Sequence, residues 1–364
     1  MTTKPTMLSY IQQEQQVLLD ILAQYPANID RSLITLPKES HMLVLGTGSS
    51  INAALSAKYY MESKADIQID IQEPYNYVNY SKHLVENQIV LGISQSGQST
   101  STIEALNRLE DSNTKIAVTS IPDSEITQAT DSVLDILSGR EKVGYVTLGF
   151  SATVLNLMLL GLRLGVKKGR IAPADEQAEL AEFREIVSAF DQTIDQTLAF
   201  FTKNEEALAG AQRFMTIAYG PAFGTAKEME TKFSETVRVP AQGIDLEAFM
   251  HGPYLEMQPD YRLFFLDTPA KANVREKAQL LQAYEEKISP YIFSISVTKT
   301  APANDKELVL TTIRDEEKAP LLLILPFQVL CWYVSRAKGI DITQRIYTDF
   351  SQAVKSKTAV QDYV

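Results

Sequence analysis

Cysteine is almost missing from this sequence. Its single copy, Cys331, excludes an intramolecular disulfide and any cysteine-built zinc cluster, and it suits a reducing, cytoplasmic setting. Histidine is nearly as scarce. With only His41, His83 and His251 present, imidazole chemistry has few candidates, and no metal site is expected. The basic excess that a nucleic-acid-binding face needs is also lacking: 34 Lys and Arg stand against 45 Asp and Glu, for a net charge of −11. That balance still permits an anionic small substrate at a locally positive site. Long hydrophobic runs are missing too. The longest, VLNLMLLGL (154–162) and LLLILPF (321–327), are too short to span a membrane, and the opening MTTKPTMLSYIQQEQ is too polar for a signal peptide. What is present is a chain of 364 residues, 45% of them apolar, which suffices for a sizeable core in two domains or one large one.

The pattern along the chain alternates. Residues 6–24 read as an amphipathic helix. HMLVL (41–45) reads as a strand running into the turn GTGSS, with a helix after it. IQIDIQEP, NQIVLGI, KIAVTS and SVLDI supply further strands, and FSATVLNLMLLGLRLG is a long apolar helix. Strands alternating with helices at this pace predict a parallel α/β sheet. A charged helical connector follows at 174–203, and then the pattern restarts. A shift of 172 residues lays MLVLGTGSS (42–50) on FMTIAYGPA (214–222), Gly48 on Gly220, and NQIVLGISQ on PDYRLFFLD. This predicts a duplicated α/β unit. The copies diverge at one turn, where SQSGQST in the first faces LDTPAKA in the second.

Two turns of the first copy are candidate ligand sites. In GTGSS, glycine admits a ligand to the backbone, and the following helix offers free amides and the positive end of its dipole. The turn lacks the third glycine of GxGxxG, but Glu73 lies 25 residues after Gly48, roughly where a ribose-binding acid would sit. A dinucleotide site and a purely structural turn both remain open at this point. The second turn, Ser94-Gln95-Ser96-Gly97-Gln98-Ser99-Thr100, carries five hydroxyls in the eight residues 94–101, more than one helix cap requires. Donors of this kind at the carboxyl ends of adjacent strands suit a phosphate. Neither turn has a P-loop lysine, which disfavours triphosphate hydrolysis.

A third segment, KEMETKFSE (227–235), sets Lys232 and Glu235 three apart on one helical face, either as a solvated pair or as part of a site. His251 follows in LEAFMHGP. Together the carboxylate and the imidazole would make a proton-transfer pair. The tail lysines Lys355 and Lys357 have the look of a solvated terminus.

Taken together, GTGSS, SQSGQST, GYVTLG (144–149), KFSE with HGP 16 residues on, AKGIDI (337–342) and VKSKT resemble the tandem SIS-domain (sugar isomerase) phosphosugar enzymes. The chain is similar to the isomerase half of glucosamine-6-phosphate synthase and to the fructosamine-6-phosphate deglycases. The resemblance implies two flavodoxin-like, doubly wound parallel sheets: residues 1–190 as an N-terminal helix with the first SIS domain, 191–340 as the second, and 341–364 as a tail closing the site. It assigns substrate contacts to Ser49, Ser50, Ser94, Gln95, Ser96, Ser99 and Thr147. It also makes Glu235 the base between sugar C1 and C2, with Lys232 beside it, and His251 the ring-opening histidine reached from a neighbouring subunit. Lys355 falls on the lysine that forms a Schiff base in the synthase, with Lys357 close enough to compete.

The expected partner is a small phosphosugar, with no cofactor, nucleic acid or membrane, in a homodimer or dimer of dimers. The sequence has no N-terminal cysteine to release ammonia from glutamine. Breakdown of a ketosamine or amino sugar 6-phosphate is therefore expected, with a ketose/aldose isomerase or a non-catalytic phosphosugar sensor as the alternatives.

Overall fold

The computed structural model describes residues 4–34, 40–81 and 83–363. The chain forms two compact units. One is built on Gln16–Arg184 and the tail from Arg345; the other is built on Glu185–Gln344 with Met7–Gln15. Each unit is centred on a five-stranded parallel sheet.

In the first unit the strands are β1 (His41–Leu45), β2 (Gln68–Gln72), β3 (Ile89–Ile93), β4 (Thr114–Thr119) and β5 (Ser132–Asp135), in the order β2-β1-β3-β4-β5. The second unit has β6 (Phe214–Ala218), β7 (Ala241–Asp245), β8 (Arg262–Asp267), β9 (Ile292–Ser296) and β10 (Glu307–Val309). Their order, β10-β9-β8-β6-β7, is the same arrangement read from the other edge. All the pairings are parallel. The duplication seen in the sequence is therefore a duplication of topology. Even the matched turn glycines agree, Gly48 and Gly220 having φ of 58° and 51°.

Helices cover both faces of a parallel sheet, so its central strands are buried throughout and read as unbroken apolar runs. β3, β6 and β9 are buried at every position. The Leu148–Lys167 helix is apolar over most of its surface because it is a core helix; it packs on the Ser49–Ala65 helix. In the second unit the Pro320–Ala337 helix does the same against Phe190–Ala209 and Phe223–Thr236. Phe264 stacks on Phe293 at 5.1 Å and meets Phe327 edge-on at 5.6 Å.

Three elements differ from the sequence expectation. The helix expected over 6–24 is broken into Met7–Ile11 and Glu14–Gln24, and the first piece belongs with the second unit. The connector at 174–203 is two helices, Pro173–Ser188 and Phe190–Ala209, which break at Ala189. The two apolar stretches thought too short for a membrane lie in helical segments of 20 and 22 residues that reach spanning length, with 89% and 94% of their apolar windows buried inside the fold.

Candidate active site

Both hydroxyl-bearing turns leave the carboxyl ends of neighbouring strands. β1 and β3 pair directly, Leu45 lying opposite Gly92, and the strand order reverses between them. That reversal is where open α/β sheets take their ligands.

After β1, Gly48 precedes the Ser49–Ala65 helix, and Ser49 and Ser50 form its first turn, both partly exposed. The Thr47 hydroxyl donates to Glu73, so the acid considered for a ribose is engaged within the protein.

The turn after β3 is tighter. Gly97 N donates to Ser94 O at 2.9 Å, and Ser99 N donates to the buried Ser94 hydroxyl at 3.3 Å. Gln95 O accepts from the Ser120 amide at 3.1 Å and from its hydroxyl at 2.8 Å, which fastens the turn to the end of β4. Gly97 has φ +67°, and a Cβ there would lie 1.7 Å from Ser124 Oγ. Ser99 stands at the N-cap of the Thr100–Arg108 helix but makes no side-chain capping bond; its hydroxyl accepts from Thr102 at 3.1 Å. Ser96 is left half-buried, and its hydroxyl meets Lys357 Nζ at 3.0 Å.

The tail brings that lysine in. Thr100 N donates to Ser356 O at 3.2 Å, Thr358 N to Gln98 O at 3.1 Å, and Gln361 to the Gln98 side chain at 2.6 Å. Ser99 and Lys357 thereby form an antiparallel bridge. Lys355 is exposed, with φ 54°, and its ammonium has no hydrogen bond or ion pair among the described residues. The tail lysine brought to the turn is thus Lys357, not Lys355. Burial pushes the Lys357 ammonium below the usual lysine range.

A cavity of about 50 Å³ lies between turn and tail, with Gln95, Ser96, Arg140, Glu141, Gln361 and Tyr363 in its lining. Glu141, which nothing in the sequence marked, is buried. It accepts from Thr147 N at 2.9 Å, Thr147 Oγ1 at 3.0 Å and Gly149 N at 2.9 Å, at the start of the Leu148–Lys167 helix. Thr147, expected to contact the sugar, is fully buried and gives its hydroxyl to Glu141.

The second unit carries the proton-transfer candidates. Lys232 is 1% exposed, and its ammonium lies 2.5 Å from Glu235, whose side chain is 36% exposed, and 3.6 Å from the buried Glu228. All three occupy one face of the Phe223–Thr236 helix. Burial alone would lower the lysine's pKa, but the two carboxylates outweigh it and raise it above the usual range, so Lys232 stays charged. Glu228, four residues before Lys232, was legible from helical spacing but went unread. His251 is exposed and belongs to a separate cluster: its Nε2 lies 3.1 Å from Glu247, which also holds Lys277 at 2.6 Å. Hydrogen bonds from Lys277 and His251 hold the Glu247 carboxyl below the ordinary glutamate value. Cys331 is buried beside this helix, and its thiol is pushed up to about 12, chiefly by burial.

Known proteins resemble this chain in sequence and fold. Residues 35–163 match the SIS domain. A glutamine–fructose-6-phosphate aminotransferase (isomerizing) of Haemophilus influenzae is 24% identical over 318 residues, 85% of this chain and 51% of that protein. The chain thus spans about half the length of that curated relative. A provisionally named phosphosugar isomerase of Clostridium difficile 630 superposes with a TM-score of 0.88 at 25% identity, covering 97% of this chain and 99% of the other. A glucosamine-6-phosphate deaminase of Thermotoga maritima gives 0.77 at 19% identity, covering 94% and 97%, and so shares the fold. Residues 35–163 thus form a SIS domain, and the second unit repeats the strand order of the first.

Proposed function

We propose that this chain is a phosphosugar enzyme that moves a proton between C1 and C2 of an open-chain hexose 6-phosphate, and that it does so to release an amine. The observation that carries the reading is the Lys232–Glu235 pair. A solvated surface pair exposes both partners and contributes little. Here the cation is wholly buried and only the carboxylate reaches out, which is the construction of a positioned base.

On this reading the Ser94–Ser99 turn, with Ser49 and Ser50 on the neighbouring strand end, binds the phosphate and orients the sugar. His251 assists ring opening. For a ketosamine, Glu235 removes a proton from C1 and returns it at C2, converting the C2 carbonyl to a hydroxyl and the C1 amine to an imine. Water then cleaves the imine to an aldose 6-phosphate and a free amine. For an amino sugar the shuttle runs from C2 to C1 and frees ammonia. Lys355 is the proposed Schiff-base lysine of the tail. The only thiol in these 364 residues, Cys331, is buried, which supports reading the reaction as glutamine-independent.

The decisive assay incubates purified protein with fructosamine 6-phosphates and glucosamine 6-phosphate and scores released amine. Turnover of phosphorylated substrates alone, without glutamine consumption, is expected. Glutamine-dependent synthesis would refute the reading. A second reading, simple ketose/aldose 6-phosphate isomerisation, is favoured by the name of the Clostridium difficile neighbour; it is told apart by interconversion of hexose 6-phosphates without an amine. We further propose a cytoplasmic homodimer, or a dimer of dimers, with His251 acting across subunits. Inactive Glu235→Gln and His251→Ala chains, mixed and refolded together, should then regain about a quarter of wild-type activity under random pairing, because half the dimers are mixed and each has one complete site. Recovery of none would show that His251 acts within its own chain.

A further inference from the structure

We propose that Lys357 is a phosphate-binding residue of the Ser94–Ser99 turn, supplying from the tail the positive charge that the turn lacks. The inference rests on the phosphosugar reading above. Residues 94–101 contain no cation of their own, although the five hydroxyls among them would leave the charge of a bound dianion unbalanced. Lys357 Nζ lies 3.0 Å from Ser96 Oγ, at the edge of the turn. An ammonium has three protons to donate. That hydroxyl is its one hydrogen-bond partner among the described residues, and no carboxylate there comes within ion-pairing distance. A half-buried cation with no counter-charge among the described residues gains from an anion that completes it.

The placement is built into the backbone. The residues on either side of Lys357 are both bonded to the turn, Ser356 O to Thr100 N and Thr358 N to Gln98 O, so the side chain is delivered to Ser96 by a fixed bridge. Lys355, two residues earlier, has no such anchorage. Of the two acids lining the adjoining cavity, Glu141 and the tail's Asp362, Glu141 is committed to two amides and a hydroxyl, while Arg140 adds a cation to the lining. The burial that depresses the Lys357 ammonium is the same burial that an incoming phosphate would offset.

The test is calorimetric titration of the full chain with fructose 6-phosphate, inorganic phosphate and fructose, using wild type, Lys357→Gln and Lys357→Arg. Gln keeps a donor for Ser96 but removes the charge. The loss of one charge-assisted contact should weaken both phosphorylated probes about tenfold or more, while Arg restores most of the affinity. The salt dependence of binding should also flatten in Lys357→Gln. Equal affinity of Lys357→Gln and wild type for fructose 6-phosphate would overturn the assignment. So would equal losses in Gln and Arg, which would mean that tail docking matters and the charge does not. If wild-type protein bound fructose 6-phosphate no better than fructose, the phosphosugar reading itself would fall and this inference with it.

Discussion

The most sharply defined structural demand at the turn is on Gly97, and Gly97→Ala measures it. Two costs add. At φ +67° an L-residue sits in the left-handed region, at about 1–2 kcal/mol. The new methyl would also lie 1.7 Å from Ser124 Oγ and 2.3 Å from Ser124 Cβ. A rotamer change moves the hydroxyl but not the Cβ, so the backbone must give way. Ser124 is held there by its own bonds to Ile121, from N at 3.0 Å and from Oγ at 2.6 Å. Overpacking of this kind adds about 1–3 kcal/mol, for a total of about 2–5 kcal/mol. The assay is isothermal chemical denaturation of wild type, Gly97→Ala, Ser124→Gly and the double variant. Ser124→Gly removes both overlapping atoms. The double variant should therefore recover the overlap cost and keep the backbone cost, with a coupling of about 1 kcal/mol or more in the cycle. A Gly97→Ala protein within about 0.5 kcal/mol of wild type, or a cycle with no coupling, would refute the reasoning.

Glu235→Gln preserves size and hydrogen bonding while removing the base. It should lower kcat by about 10²–10⁴ with KM nearly unchanged in steady-state kinetics. Lys232→Met strips Glu228 of its buried counter-charge and should cost about 3–5 kcal/mol in denaturant titration, most of it recovered by adding Glu228→Leu. Asp30 is held low by a hydrogen-bonded pair of contacts from Arg163, at 2.7 and 2.8 Å. Its folded pKa lies below its unfolded one, so its contribution is complete above the ordinary value of 3.8 and is lost as the pH falls through the depressed value. Asp30→Asn should accordingly lose less stability than wild type in this acid range when unfolding is followed against pH.

The sequence by itself determined the class and the repeat. The apolar runs of β1 and β3, each followed by a helical stretch, pointed to a parallel sheet, and the 172-residue shift aligned two copies whose strand orders agree. The hydroxyl turn was legible because five hydroxyls in eight residues exceed what a helix start needs. Helical spacing likewise set Lys232 beside Glu235, and it held Glu228 as well. What only the tertiary structure decided is burial and long-range pairing. Spacing says that two residues share a face; it does not say that Lys232 is wholly enclosed while Glu235 reaches out. Thr147 carried a hydroxyl in a suggestive motif, yet the fold turns it inward to Glu141, a residue without local signal because its partners are the amides of a helix that begins seven positions later. Most plainly, the choice between Lys355 and Lys357 depends on a pairing across more than 250 residues of chain. A left-handed residue at 355 and one antiparallel bridge at 357 set which lysine meets Ser96, and neither is written in the order of the amino acids around it.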